Sequence, residues 1–209
     1  MNKRPVCTRC LRAAKACICK FIHPVANRVS LIILQHPQEV HEAKNSARLL
    51  HLCLKNSQIY TGEDFESSFF CELKSTNYHD LLLYPDMSDN TTSGVCGTPK
   101  INPDYLAIDD NLGNIPSARL WVLDATWRKS RKMMYLNPAL QAMPKLSLQD
   151  CPPSMYKIRK AHSKNQLSTL EASCYALQKL EHGAVNYSPI LEAFAAFVAQ
   201  RQAFLPSSL

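Results

Sequence analysis

The chain contains no apolar run long enough to cross a membrane, and its opening Met1-Asn-Lys-Arg-Pro5 is not followed by the apolar stretch of a secretory signal. Membrane insertion is therefore not expected, and a cytoplasmic location is the default. Internal repeats and low-complexity tracts are absent as well. Acidic residues are missing from one segment and scarce in another: residues 1–28 hold seven Lys/Arg and no Asp/Glu, and residues 119–164 hold ten against two. The rest of the chain carries seven basic and fifteen acidic residues, so the formal charge of +7 is concentrated in two segments on an otherwise acidic body. That distribution suggests a local polyanion-binding surface, because neutralising phosphates releases counterions and this dominates nucleic-acid affinity. A basic surface without a partner is the plainer alternative.

A length of 209 residues with 46% hydrophobic and 20% charged residues suits one good core with a small appendage. The nine cysteines are unevenly placed, with Cys7, Cys10, Cys17 and Cys19 crowded into the first twenty residues. Thiols in a reducing compartment stay reduced, so the cluster reads as a metal site rather than a disulfide framework. Four thiolates close a tetrahedral structural Zn2+ site and leave no open position, which argues against the metal as catalyst. Unliganded reduced thiols are the alternative. A bound metal would hold Arg9, Arg12 and Lys15 rigidly, as cations for nucleic acid, while the nearby His23 reads as an ordinary linker residue.

Val29–Leu34 reads as a strand that leaves the sheet at Gln35-His36-Pro37, followed by a helix over Glu39–Leu54. Gln58–Tyr60 and Asp80–Tyr84 are further strands, and the Asp, Asn, Thr, Gly and Pro content of Met87–Asp104 predicts a surface loop. The unbroken apolar run Leu120–Leu123 predicts a strand covered on both faces, ended abruptly by Asp124. A carboxylate there is poorly placed for packing and well placed for chemistry, since open α/β sheets bind ligands at the carboxyl edge. Thr126 can cap the next helix, whose first turns carry Arg128, Lys129, Arg131 and Lys132. Helix starts favour anions, so these cations need another use, such as meeting phosphate; a solvated basic face also accounts for them.

Lys145–Leu148 predicts another strand, and Tyr156–Lys160 is alternating and basic. Ser168 and Glu171 stand at capping-box spacing at the head of a helix that Gly183 stops, and Pro189–Phe204 predicts a last helix. Strands and helices alternating over this length predict one α/β domain with a mainly parallel sheet over 29–209, with the knuckle of 1–28 as its annex.

Five features coincide in order: the Cys-x-x-Cys and Cys-x-Cys knuckle, Gln35-His36-Pro37-Gln38-Glu39, Leu83-Tyr84-Pro85, Leu123-Asp124-Ala125-Thr126-Trp127, and Tyr156-Lys157-Ile158-Arg159 followed by Leu167-Ser168-Thr169-Leu170-Glu171. Together they resemble the DTW-domain family of tRNA-uridine aminocarboxypropyltransferases, from about Val6 to Glu181. One departure is visible, because the family usually has Gly where Ala125 stands. The resemblance implies a SPOUT-like α/β fold with a C-terminal knot, which the rarity of knotted chains would otherwise argue against. It implies S-adenosylmethionine (SAM) as donor and tRNA as partner; the sequence itself gives no sign of a membrane or of an obligate protein partner. The expected product is 3-(3-amino-3-carboxypropyl)uridine. It places Leu83, Tyr84, Pro85, Leu123, Ser168, Thr169 and Glu171 near the donor. Asp124 becomes the candidate acceptor of the N3 proton, or a cap of the next helix. Thr126 either orients Asp124 or caps that helix, and Trp127 is either core or a stacking surface. Arg128, Arg131, Lys132, Arg159 and Lys160 are candidates for tRNA phosphates, and one Arg can instead hold the donor's carboxylate. SAM-dependent RNA methylation and a non-catalytic zinc-containing RNA-binding module are the competing readings.

Overall fold

A computed structural model describes residues 5–42, 44–73, 78–85, 117–148, 151–154 and 167–203. Five strands form one all-parallel sheet in the order β2-β1-β4-β3-β5: β1 Ser30–Gln35, β2 Ser57–Thr61, β3 Tyr78–Leu83, β4 Ser117–Asp124 and β5 Lys145–Leu146. The helices are α1 Ala47–Cys53, α2 Ser67–Leu73, α3 Trp127–Leu136, α4 Pro138–Ala142, α5 Thr169–Leu180 and α6 Ser188–Ala203. None of those described is long and apolar enough to cross a membrane.

Alternate strand residues point to opposite faces, so a buried apolar run needs cover on both. Leu31, Ile33, Leu81, Leu120 and Val122 share one core with α1, α5 and α6. Ile32, Leu34, Leu82 and Trp121 face the other way, against Phe70 of α2, Met133 of α3 and Leu140 of α4. The expected two-sided burial of the central strand is thus observed in β4. At the amino-terminal side of the sheet, Asp80 accepts a two-pronged bond from Arg119, its register partner, and the indole N–H of Trp121. Glu181, just past α5, accepts the backbone N–H groups of Arg28 and Val29 at 2.7 and 2.8 Å and the Tyr187 hydroxyl at 2.9 Å. This ties the entry of β1 to the connection between α5 and α6.

Two expectations need correction, and one element is new. The helix predicted over Glu39–Leu54 forms only in its second half, after a single 3-10 turn at Pro37–Glu39. The reason is that Glu39 and Asn45 are buried polar residues whose side chains turn toward α3 and the strand ends. Thr126 holds the N-cap position of α3, but its side chain makes no capping bond. Helix α2 was not anticipated; its Phe69 and Phe70 rings pack on Trp121 and Phe65. The capping box at Ser168 and Glu171 forms as the spacing predicts, and Gly183 follows α5 with φ +75°. The predicted loop Met87–Asp104, the basic Tyr156–Lys160 segment with Arg159 and Lys160, and parts of the β5–α5 connection through which a knot would be traced lie outside the described residues.

Candidate active site at the strand ends, and a four-cysteine cluster

In an open parallel sheet, ligands bind beyond the carboxyl ends of the strands where neighbouring connections diverge in opposite directions. Here that place lies between β1, which leads outward to β2, and β4, which leads the other way toward β5. The last residues of these two strands, Gln35 and Asp124, are register partners. The Asp124 carboxylate is buried and accepts from side chains on several sides: Gln35 Nε2 at 2.8 Å and Asn45 Nδ2 on Oδ2, and Thr169 Oγ1 at 2.9 Å on Oδ1. Burial raises its pKa above the usual carboxylate range, the three hydrogen bonds oppose that rise, and the nearby Glu39 charge adds to it. Asp124 therefore joins the ends of β1 and β4, the loop after β1 and the first turn of α5.

Several other sequence candidates among the described residues lie around this edge. Leu83, Tyr84 and Pro85 follow from the end of β3, beside β4. Ser168 and Glu171 bond one another reciprocally, and Glu171, fully buried, also accepts from Ser154. Trp127 is 41% exposed and stacks on the buried Tyr84 ring with centroids 5.7 Å apart and planes at 18°. It is a surface platform rather than part of the core.

A cleft of about 480 Å³ opens at the same end of the sheet, lined by His36, Gln38, Glu63, Thr126, Arg128, Lys129 and Lys132. Its charges are largely answered from within. Lys129 donates to the buried Glu39 at 2.9 Å, and Lys132 donates to Glu63 at 2.8 Å. The Lys132 ammonium, and next the His36 ring, hold the Glu63 carboxyl below its ordinary range. His36 Nδ1 accepts the Gln38 backbone N–H, which leaves Nε2 as the donor to Glu63 at 3.0 Å. Two of the four cations that seemed misplaced at the start of α3 thus meet carboxylates. Arg128 and Arg131 are exposed, with no hydrogen-bond or ion-pair partner among the described residues.

Gln35, Asn45 and Glu63 are site residues that sequence reasoning did not select. Gln35 stood inside a quoted motif, whereas Asn45 was absorbed into the helix predicted around it. Asn45 Oδ1 accepts the Arg48 backbone N–H at 3.2 Å, closing the first turn of α1, and this fixes the amide so that Nδ2 faces Asp124.

At the amino terminus the sulfurs of Cys7, Cys10, Cys17 and Cys19 all lie within 4.8 Å of one another. Cys7–Cys19 and Cys10–Cys17 are 3.6 and 3.8 Å apart. A tetrahedral shell with Zn–S bonds of about 2.3 Å places its sulfurs about 3.8 Å apart, so the donor set fits a structural Zn2+. The cluster is packed onto the main body: Cys10, Ile18 and Phe21 belong to the core formed with α1, α5 and α6.

Comparison with known proteins agrees with the motif reading. A curated relative from Macaca fascicularis, tRNA-uridine aminocarboxypropyltransferase 2, is 30% identical over 190 residues, covering 86% of this chain and 58% of the relative. The proteins of the same name from Mus musculus and Drosophila melanogaster are 28% and 26% identical, covering 86% of this chain and 58% and 68% of their own lengths. The chain thus spans somewhat over half the length of the first two. No solved structure matches. The DTW domain model matches residues 4–202, nearly the whole of the sequence, and the chain belongs to the DTW domain family.

Proposed function

We propose that this protein transfers the 3-amino-3-carboxypropyl group of SAM to N3 of a uridine in tRNA and releases methylthioadenosine. The observation that carries the reading is Asp124 at the divergence point of the sheet, in a chain of the DTW domain family whose curated relatives are named tRNA-uridine aminocarboxypropyltransferases. The sulfonium of SAM activates three carbons. Transfer breaks the bond from sulfur to the aminocarboxypropyl carbon and forms a bond from that carbon to N3. The neutral thioether leaves without an acid, and the N3 proton must go to a base. The protein's task is to choose the longer chain over the methyl group by position, and to take that proton.

Asp124 suits the second task through its burial. Gln35 and Asn45 both occupy Oδ2, whereas Oδ1 carries only the Thr169 hydroxyl among the described residues. Oδ1 is therefore the oxygen that can exchange its partner for a uracil N3–H. The end of β3 at Leu83–Pro85, Leu123, and the first turn of α5 at Ser168, Thr169 and Glu171 form the donor side of this edge. The Trp127–Tyr84 stack offers a flat surface to an adenine or a uracil. Arg128 and Arg131, with Lys132, Arg159 and Lys160, supply phosphate contacts from the basic segment.

The test is incubation with bulk tRNA and SAM, followed by analysis of both small molecule and nucleosides. Methylthioadenosine together with an alkylated uridine supports the reading. S-adenosylhomocysteine would instead establish methyl transfer, and an absence of SAM binding by calorimetry would leave an RNA-binding module.

A further inference from the structure

The four-cysteine cluster and the Asp124 cluster sit in different parts of the chain, but two contacts connect them. Arg12, between the cysteine pairs, donates from Nη2 to the backbone carbonyl of Asn45 at 2.7 Å. Arg48, three residues beyond Asn45, donates from Nη2 to the backbone carbonyl of Arg9 at 3.0 Å. The knuckle thereby grips the start of α1 from both directions, one guanidinium in each. Between these grips the Asn45 side chain is fully oriented, with Oδ1 on the Arg48 N–H and Nδ2 on Asp124 Oδ2.

We infer that Asn45 is a positioning residue through which the cysteine knuckle fixes the Asp124 carboxylate. Among the described residues, Val40–Glu42 and Lys44–Ser46 belong to no α-helix. The register of this segment against the strand ends is set where Arg12 and Arg48 clasp it, and a carboxylate held by side-chain amides is only as well placed as the backbone that carries them. Misplacement of a reacting group by about 1 Å is enough to cost on the order of 100-fold in rate. The four-cysteine knuckle would then serve the reaction at a distance from the Asp124 carboxylate. This inference rests on Asp124 marking the reacting edge, as proposed above.

The test combines Arg12→Ala, Asn45→Ala and the double variant in the zinc-loaded protein. Arg12 also lies over the Phe197 ring, 5.6 Å from its centroid, so Phe197→Leu controls for lost packing. The expected result is an unchanged zinc content in Arg12→Ala, backbone amide exchange over residues 44–48 faster by about tenfold, and kcat lower by about tenfold with KM for SAM and tRNA unaltered. The double variant should be no slower than Asn45→Ala alone, and Phe197→Leu should lower Tm without lowering kcat. Chelation of the metal in the wild type should accelerate exchange over the same residues. Wild-type exchange in Arg12→Ala and in the chelated protein, or losses that multiply in the double variant, would overturn the inference. A wild type that transfers nothing would defeat the proposed activity, whereas the exchange measurements would still judge the linkage by themselves.

Discussion

At Asp124, three neutral donors surround a buried carboxylate, and the two oxygens are not equivalent. Asp124→Asn can keep a carbonyl toward Gln35 and Asn45 and turn its amide toward Thr169, whose hydroxyl can reverse and accept. Asp124→Ala leaves the Gln35 and Asn45 amides facing nothing. Denaturant unfolding should therefore show Asp124→Ala less stable than Asp124→Asn by about 1–3 kcal/mol, although both lose transfer by on the order of 100-fold or more. The raised pKa of Asp124 also sets a sign. A carboxyl whose folded pKa lies above its unfolded value binds more protons when folded, so its contribution to stability is full in acid and is lost as pH rises through the folded pKa. The stability of the wild type relative to Asp124→Asn should accordingly fall as pH rises from the unfolded carboxylate range toward neutrality, read from unfolding midpoints at successive pH values.

Helix α3 begins with cations where the backbone dipole favours anions, and the structure shows how that cost is divided. Lys129 serves Glu39, which is 2% exposed, whereas Lys132 meets Glu63 near the surface. Removing the partner of a buried charge is expensive and removing that of an exposed one is not. Lys129→Ala should thus cost about 1–3 kcal/mol, while Lys132→Ala should leave the unfolding midpoint close to wild type. Arg128 and Arg131 are the exposed cations of this helix that meet no carboxylate among the described residues. Replacing either by Ala should weaken tRNA binding and reduce the slope of log K against log salt by about 1, measured by titration at several salt concentrations. The basic character of α3 was legible in the sequence, but its division was not. Charge content reads along the chain, whereas Glu39 and Glu63 reach α3 from the other side of a cleft. The same holds for Asn45. A polar residue inside a helical period reads as helix, and only the approach of β4 gives its amide a carboxylate to bind. By contrast, the Ser168–Glu171 cap and the buried run before Asp124 are local patterns, and both appear where the spacing placed them.

On the scale of the whole molecule, the parallel sheet follows from alternating strands and helices, but the insertion of β4 between β1 and β3 is not written in any local period. It is this insertion that brings Gln35 and Asp124 side by side. The knuckle, too, is less separate than its sequence suggests, since Cys10, Ile18 and Phe21 share a core with Phe194 and Phe197 of α6. Stripping the metal with a chelator should therefore lower the Tm of the entire chain in one transition, followed by calorimetry, rather than melt a small unit and leave the rest. The Glu181 clasp on Arg28 and Val29 has a bearing on biosynthesis. Glu181 emerges from the ribosome 152 residues after Val29, a delay of about 8–30 s at ordinary elongation rates. Throughout that interval the nascent β1 lacks the carboxylate that anchors the two residues leading into it. A strand that borders the centre of the finished sheet is thus tied down at its entry only after 152 further residues have been made.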